Sequence, residues 1–182
     1  MVSGYSDGIF YSINNHPNPF LVSLAATIRP GVAIDVGSGM GPNAKWLFDQ
    51  GWKVHVIEQE ELAVAHLLEL FPREYIHVGN AMEVTFDSTV RFDLLTCNYM
   101  LQHLSIDDAV ILIKKMLDRM SEGAVQVYSL FEFPGAISYA RLKSIMEASG
   151  AELLASKNWS VEDSNHGPMH HHSIVESAWK CR

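Results

Sequence analysis

An acid followed by three glycines at alternate positions is the feature of this chain with the clearest chemical meaning. Asp35 closes an apolar stretch, and Gly37, Gly39 and Gly41 follow at two-residue intervals before Pro42. Glycine lacks a Cβ and tolerates positive φ, so a ligand can approach the main chain closely there. Proline suits the first position of a helix, and the free N–H groups of a helix start attract a ligand. The run therefore predicts a nucleotide-binding turn between a strand and a helix.

The glycine spacing differs from the dinucleotide-binding fingerprint G-x-G-x-x-G, which would need glycine where Pro42 stands. The pattern D-x-G-x-G-x-G, from Asp35 to Gly41, instead resembles motif I of the class I S-adenosylmethionine (SAM) dependent methyltransferases. The resemblance extends over nearly all of the chain, from about Val32 to Lys180. It implies that S-adenosyl-L-methionine is the cofactor.

Apolar strand patterns alternate along the chain with helical patterns, which predicts an α/β fold with a largely parallel sheet and helices on both faces. We expect strands at 32–36, 53–57, 75–78, 92–98, 124–131, 152–157 and 173–180. We expect helices at 19–29, 42–50, 60–70, 105–120 and 136–148, with Gly123 as the stop signal after the fourth. This order resembles the seven-stranded, Rossmann-like methyltransferase core, whose last strand is antiparallel. We expect a single domain over 1–182, with an N-terminal lid and helix over 1–30 and the core over 31–182.

The adenosine half of the cofactor is predicted to contact residues after the second and third strands. Glu58 comes about 20 residues after the turn, where an acid can accept hydrogen bonds from both ribose hydroxyls. A solvent-facing carboxylate is the alternative for Glu58. The resemblance implies that Gln59 lies against the adenine. It also implies that Asn80, followed by Ala81, accepts from the adenine amino group, although the family usually has Asp at the position of Asn80.

The methionine half of the cofactor is assigned by the resemblance alone. It implies that Asp35 organises the turn and approaches the methionine end, and that Asn98 and Tyr99 lie close to the transferred methyl group. The predicted cofactor-binding residues are Asp35, Gly37, Ser38, Gly39, Gly41, Glu58, Gln59, Asn80, Ala81, Asn98 and Tyr99.

Three histidines are the predicted catalytic residues. His103 follows the fourth strand, and its near-neutral unperturbed pKa suits a general base; a packing or capping role is the alternative. His170 and His172 share one face of an extended chain, where they could handle substrate or protons. The alternatives are that they bind a metal together with His166, or that the hairpin is only polar and exposed. We expect no metal. A histidine-rich final hairpin is also loosely similar to the small tellurite-resistance methyltransferases.

The predicted reaction is transfer of the SAM methyl group to an O, N or S nucleophile of a small molecule. A non-catalytic SAM-binding partner subunit would keep the glycines and Glu58 but could dispense with the histidines. A nicotinamide-dependent oxidoreductase is disfavoured by the glycine spacing and by the lack of an obvious second domain. The resemblance does not identify the acceptor.

Composition and charge restrict the kinds of binding partner and the cellular compartment that we expect. The formal net charge of −8 argues against a nucleic-acid surface, which needs clustered Lys and Arg. No stretch approaches the ~20 continuous apolar residues of a membrane helix, and the first residues lack the features of a signal peptide. The two cysteines, Cys97 and Cys181, form no disulfide framework, which favours the cytoplasm. A homo-oligomer or a partner protein stays open.

Overall fold

The computed structural model describes residues 16–163 and 170–182, and there the chain forms one seven-stranded sheet. The strand order is β3-β2-β1-β4-β5-β7-β6. The pairs β1–β2, β2–β3 and β4–β5 are parallel, whereas β7 is antiparallel to both of its neighbours. The strands are β1 (Val32–Val36), β2 (Lys53–Glu58), β3 (Ile76–Val78), β4 (Phe92–Asn98), β5 (Met120–Glu132), β6 (Glu152–Asp163) and β7 (His170–Lys180). The predicted Rossmann-like α/β fold with an antiparallel last strand is confirmed.

Helices surround this sheet, and side chains cap the starts of three of them. Ser105 and Ser138 each accept a backbone N–H at a helix start, as Asn18 does for the first helix. Pro42 occupies the first turn of its helix as predicted. The α-helices are α1 (Pro19–Ala25), α2 (Pro42–Asp49), α3 (Glu61–Leu70), α4 (Ile106–Leu117) and α5 (Tyr139–Ala148), and short 3₁₀ turns span Arg73–Tyr75 and Leu101–His103.

The chain divides into two compact units, Met1–Ser88 and Thr89–Arg182. The described part of the first unit contains β1–β3 and α1–α3, and its buried side chains include Ile34, Val56 and Leu67. The second unit contains β4–β7, α4 and α5, with a core that includes Tyr128 and Trp179. Residues 1–15, which carry most of the predicted lid, lie outside the described residues.

The predicted elements were wrong at the boundary between α4 and β5. The helix ends at Leu117 rather than Met120, and Met120 already pairs with Phe92 in the sheet. The register then shifts, so that Leu94 pairs with Val125. Gly123, predicted as a helix stop, lies inside β5 in this irregular stretch with φ 75°. A bulge that needs a left-handed residue explains the glycine there.

Other elements differ from the prediction in length. The first helix ends at Ala25 instead of residue 29. Strands β6 and β7 are longer than predicted and pair with each other as far as Asp163 and His170. Their added residues are mostly polar, so no hydrophobic alternation marked them as strand. Within the described residues, we find no helix with the length and apolar character needed to cross a membrane.

Candidate functional site

The turn after β1 has the backbone that its glycines predict. Gly37, Gly39 and Gly41 have φ values of 70°, 54° and 81°, all in the left-handed region that side chains rarely adopt. Gly41 also packs tightly, because a Cβ built there would lie 2.6 Å from Cδ2 of Leu67 in α3. Gly41 therefore allows the close approach of α3, in addition to any contact with a ligand.

The backbone N–H groups of this turn bind within the protein. Those of Gly37 and Ser38 both donate to the carbonyl of Ile57, at 3.0 and 3.1 Å. The N–H of Ala44, in the first turn of α2, donates to the Asp35 carboxylate. The prediction that the N–H groups of this helix start are free for a ligand is thus wrong at Ala44. A ligand would therefore be recognised by the shape of the turn and by its acidic side chains more than by free backbone N–H groups.

Glu58 joins the turn after β1 to the turn after β2. Its Oε2 accepts from the Gly39 N–H at 2.7 Å, and its Oε1 accepts from Gln59 and Glu60 at 2.8 and 3.0 Å. The side chain is buried, at 6% exposure. A carboxylate has about four acceptor positions, so about one remains, on Oε2. One ribose hydroxyl can bind there directly, and a second requires one backbone donor to be released.

Asp35 is a buried acid beside Glu58. It is 1% exposed, and its Oδ2 has no hydrogen-bond partner among the described residues. Burial, followed by the charge of Glu58, raises the pKa of Asp35 to about 7, against the opposing hydrogen bond from Ala44. No ion pair formed by the described residues includes either acid. Two buried carboxylates without a basic partner favour a ligand that carries positive charge.

The residues predicted to contact adenine differ in their exposure to solvent. Gln59 is exposed and Ala81 is buried. Asn80 is exposed, and its Oδ1 accepts from the Met82 N–H at 2.9 Å in the turn after β3. A carbonyl oxygen accepts two hydrogen bonds, so one position on Oδ1 stays open to an amino group. Asn80 and His77 also line an open depression of about 420 Å³.

In the second unit, Asn98 is the last residue of β4 and Tyr99 follows it. The Asn98 Oδ1 accepts from Ser129 Oγ at 2.7 Å, while the Asn98 Nδ2 is buried without a partner among the described residues. Tyr99 has a φ of 53°, unusual for a residue with a side chain. Burial, and secondarily the charge of Glu176, raises the pKa of Tyr99 to about 12. The phenol of Tyr99 therefore keeps its proton near neutral pH.

Sequence reasoning missed two buried polar residues that lie in register with Asn98 on the neighbouring strands. Ser129 lies opposite Asn98 in the β4–β5 register, and Glu176 lies opposite Ser129 in the β5–β7 register. Both are buried, with Glu176 at 4% exposure. The sequence contained one signal for Glu176, which is an acid within the mostly apolar run from Ile174 to Trp179. An acid is rarely buried in such a run without a specific reason.

The three predicted catalytic histidines are described to different degrees. His103 is exposed in the 3₁₀ turn after β4. The backbones of His170 and His172 pair with Asp163 and Val161, but their side chains lie outside the described part of the structure. His166 lies in the undescribed segment 164–169. Within the described ranges, no three His, Cys, Asp or Glu side chains are grouped to hold a metal ion.

Solved structures with a similar fold are numerous and distant in sequence. TehB from Haemophilus influenzae superposes with a TM-score of 0.77 at 17% identity, covering 96% of this chain and 66% of TehB. The N-methyltransferase NodS from Bradyrhizobium japonicum, in complex with S-adenosyl-L-homocysteine (SAH), gives 0.71 at 12% identity over 94% and 91%. The magnesium protoporphyrin IX methyltransferase ChlM from Synechocystis, with bound SAM, gives 0.64 at 16% identity over 87% and 74%. At these identities, each similarity shows the fold.

A family profile gives the firmer result. Among curated proteins, no sequence matches this chain. The family described as "Methyltransferase domain" matches residues 34–125, which begin just before Asp35 and end inside β5. That match covers half of the chain and includes the glycine turn and Glu58. The chain therefore belongs to the methyltransferase domain family and is an enzyme of the class I SAM-dependent methyltransferase superfamily.

Proposed function

We propose that this enzyme transfers the methyl group of S-adenosyl-L-methionine to an O, N or S nucleophile of a small molecule. The observation that carries the proposal is the pair of buried acids in the first unit, Asp35 and Glu58, beside a left-handed glycine turn. SAM carries a sulfonium and an ammonium group, so it brings the positive charge that the two acids lack. An anionic dinucleotide would instead place its phosphates against two carboxylates.

Several buried oxygen atoms of the first unit have hydrogen-bonding positions that no described residue fills, and these positions fit the cofactor. The free acceptor position on Glu58 Oε2 suits a ribose hydroxyl, and the unpartnered Oδ2 of Asp35 suits a cationic or water-mediated contact. Ser38 Oγ is likewise buried without a partner among the described residues. Gly37, Gly39 and Gly41 give the turn its shape. Further contacts proposed for the cofactor are those of Gln59, Asn80, Ala81, Asn98 and Tyr99.

The protein's chemical task is mainly alignment. When bound, SAM supplies a methyl group that its sulfonium already activates. Holding an acceptor in line with that methyl group can contribute roughly 7–11 kcal/mol to catalysis. A base matters most for a hydroxyl acceptor and least for a free amine. His103, His170 and His172 are the candidates for a base, and Tyr99 is excluded by its raised pKa.

A small acceptor agrees with the composition of the chain. The net charge of −8 disfavours a nucleic-acid substrate. Strand β5 passes to α5 through only 133–138, so no inserted cap lies there. Both cysteines are buried and neither forms a disulfide bond, which is compatible with the proposed cytoplasmic setting. Assembly into a homo-oligomer, or with a partner protein, is a separate proposal that size measurements in solution would test.

The direct test is calorimetry with SAM, SAH and NADH on the same purified protein, followed by a transfer assay with methyl-labelled SAM across a metabolite panel. We expect binding of SAM and SAH, no binding of NADH, and label transfer to at least one small acceptor. Absence of heat with both SAM and SAH contradicts the proposal. Binding of NADH in their place would indicate oxidoreductase chemistry.

A further inference from the structure

Two buried acids interact within the first unit, one in β1 and one at the end of β2. Asp35 is 1% exposed and Glu58 is 6% exposed. The charge of Glu58 acts on Asp35, and among the described residues neither acid takes part in an ion pair. Two interacting carboxylates without a counter-charge do not both ionise readily, because each charge raises the cost of the other. In mildly acidic solution, one of the two therefore holds a proton in the cofactor-free protein.

Hydrogen bonds decide which of the two acids keeps its charge. The Glu58 carboxylate accepts three backbone N–H groups from the two turns, at 2.7, 2.8 and 3.0 Å. The Asp35 carboxyl accepts one, from Ala44, and its Oδ2 has no partner among the described residues. Because such donors stabilise the charged form of a carboxylate, Glu58 is the ionised member and Asp35 the protonated one. Burial and the charge of Glu58 raise the pKa of Asp35 to about 7, which agrees with this assignment.

Within the described part of the first unit, the basic groups of the elements next to Asp35 are directed elsewhere. On β2, the β1–β2 register places His55 and Lys53 on the face of the sheet opposite to that of Asp35. On α2, Lys45 pairs with Asp49 at 2.6 Å in an exposed position. A positive charge that balances the Asp35 carboxylate must therefore come from a ligand.

Two unsatisfied oxygen atoms indicate what kind of ligand this is. Asp35 Oδ2 and Ser38 Oγ are both buried without a hydrogen-bond partner among the described residues. Buried polar atoms are nearly always paired in folded proteins, so these exceptions need an explanation. A carboxyl group and a nearby hydroxyl donor suit the ammonium and carboxylate groups at the methionine end of SAM. That ammonium is fully charged at pH 6, because an α-amino group loses its proton only near pH 8.

We propose that Asp35 exchanges its proton for the ammonium group of the cofactor, so that SAM and SAH bind with release of one proton and bind more weakly in acid. This inference rests on the proposed function and deepens it by making cofactor binding at the same site depend on pH. The O–H bond of the Asp35 carboxyl breaks, its electron pair stays on the carboxylate oxygen, and the proton passes to the solvent. The ammonium keeps its own protons, and no bond of the cofactor changes.

The exchange leaves the charge next to Glu58 unchanged. The protonated pair carries one negative charge, and two carboxylates with one ammonium also carry one. The bound state adds an ion pair and a partner for Asp35 Oδ2, which favours release of the proton. A nucleoside without an ammonium group offers no such replacement, so Asp35 keeps its proton when it binds.

The test counts protons by calorimetry at pH 6 in two buffers of different ionisation enthalpy, with SAH and with 5′-methylthioadenosine. The second ligand is a nucleoside thioether that lacks the amino-acid end. For the wild type we expect release of about 0.9 proton per SAH, because a group with a pKa of about 7 is about nine-tenths protonated at pH 6. We expect almost no release with methylthioadenosine. Wild-type affinity for SAH should rise about fivefold or more between pH 6 and pH 7.5.

Two variants assign the proton to one carboxyl group. Asp35→Asn should bind SAH with almost no proton release, and its affinity should change by less than about twofold between pH 6 and pH 7.5. Asp49→Asn is the matched control, because Asp49 is an exposed acid on α2. It should release as many protons as the wild type and keep the wild-type pH dependence.

Three results would overturn the inference. The first is a wild type that releases no more protons with SAH than with methylthioadenosine, and the second is a wild-type SAH affinity that stays constant from pH 6 to pH 7.5. The third is proton release that Asp35→Asn retains. If Asp35→Asn does not fold, the wild-type proton count with SAH decides alone. Absence of binding by both SAM and SAH would instead defeat the proposed function, so the two failures are distinguishable.

Discussion

Oε2 of Glu58 accepts a hydrogen bond from the Gly39 N–H at 2.7 Å, so the acid that ends β2 fixes the glycine turn that follows β1. Its other oxygen accepts from Gln59 and Glu60 and fixes the turn after β2 in the same way. One buried carboxylate thus holds two turns at the ends of adjacent parallel strands. Such strand ends are where ligands bind in open α/β sheets.

Replacing Glu58 tests whether this carboxylate also binds the cofactor. Glu58→Ala should weaken SAM binding by about tenfold or more, because hydrogen bonds to a charged group contribute about 1.5–3 kcal/mol. Calorimetry with SAM measures the change. Glu61→Ala is the matched control, since Glu61 is an exposed acid in the first turn of α3. Equal affinities in Glu58→Ala and the control would remove Glu58 from the site.

Replacing Gly39 tests the backbone of the turn. Valine is strained at a φ of 54°, and its side chain would occupy the approach to the main chain. Gly39→Val should abolish SAM binding while the circular dichroism spectrum stays native. Gly51→Val is the control, because Gly51 also has positive φ, at 89°, with nothing within 4 Å of an added Cβ. Normal SAM binding by Gly39→Val would show that the turn does not contact the cofactor.

The backbone around the candidate site in the first unit could be predicted from the sequence because it is determined locally. An apolar strand, an acid and alternate glycines occupy ten consecutive residues from Val32 to Gly41, and each has a direct conformational meaning. The acid at the end of the next strand follows from the same pattern. The strand β1 has the predicted bounds, and β2 extends only one residue further.

The polar row of Asn98, Ser129 and Glu176 in the second unit could not be predicted in the same way. It depends on Ser129 and Glu176 lying opposite each other in β5 and β7, 47 residues apart in the chain. A serine inside an apolar strand carries no local signal of its partner. The bulge around Gly123 was missed for a related reason, since glycine after a helical pattern equally suits a helix end.

The pKa of Asp35 predicts an unusual pH dependence of stability. In the unfolded chain this carboxyl loses its proton near pH 3.8, whereas in the folded chain it holds it to about pH 7. The folded state therefore binds more protons in that interval, and stability falls as pH rises from about 4 to 7. Asp35→Asn removes this contribution. Its melting temperature should drop less between pH 5 and pH 8 than that of the wild type.

Thermal unfolding at both pH values, followed by circular dichroism without cofactor, gives the measurement. Asp49→Asn is the control, because Asp49 is an exposed acid on α2 that pairs with Lys45. The control should keep the wild-type pH dependence. An Asp35→Asn profile parallel to that of the wild type would show that Asp35 titrates normally in the folded chain.

The lowered pKa values of His55 and His77 predict that stability falls as the pH drops, which is opposite in direction to the effect of Asp35. His55 Nδ1 lies 2.9 Å from His77 Nε2 on adjacent strands. Burial, followed by the charges of His77 and Lys53, lowers the pKa of His55 to about 4, and burial also lowers that of His77. The unfolded chain therefore binds protons first, and stability falls as pH drops from about 6.5 towards 4.

Replacing His55 with Phe should reduce this loss. Phenylalanine suits the aromatic surroundings of Tyr75 and Phe86 and has no proton to bind. Urea unfolding at pH 7, 5.5 and 4.5 should show a shallower acid decline than in the wild type. His66→Gln, at a partly exposed position on α3, should leave the decline unchanged. A decline in His55→Phe as steep as in the wild type would mean that other groups control acid unfolding.

Replacing His103 tests whether this exposed side chain is the general base of the transfer. If it is, His103→Ala should lose most of its turnover on a hydroxyl or thiol acceptor, because those nucleophiles need proton removal during the transfer. SAM affinity should stay within about twofold of the wild type, because the loss then concerns the acceptor and not the cofactor. Turnover with methyl-labelled SAM at saturation, on the best acceptor of the metabolite panel, gives the measurement. His66→Gln, at a partly exposed position on α3, is the matched control. Wild-type turnover in His103→Ala would show that this histidine is not the base.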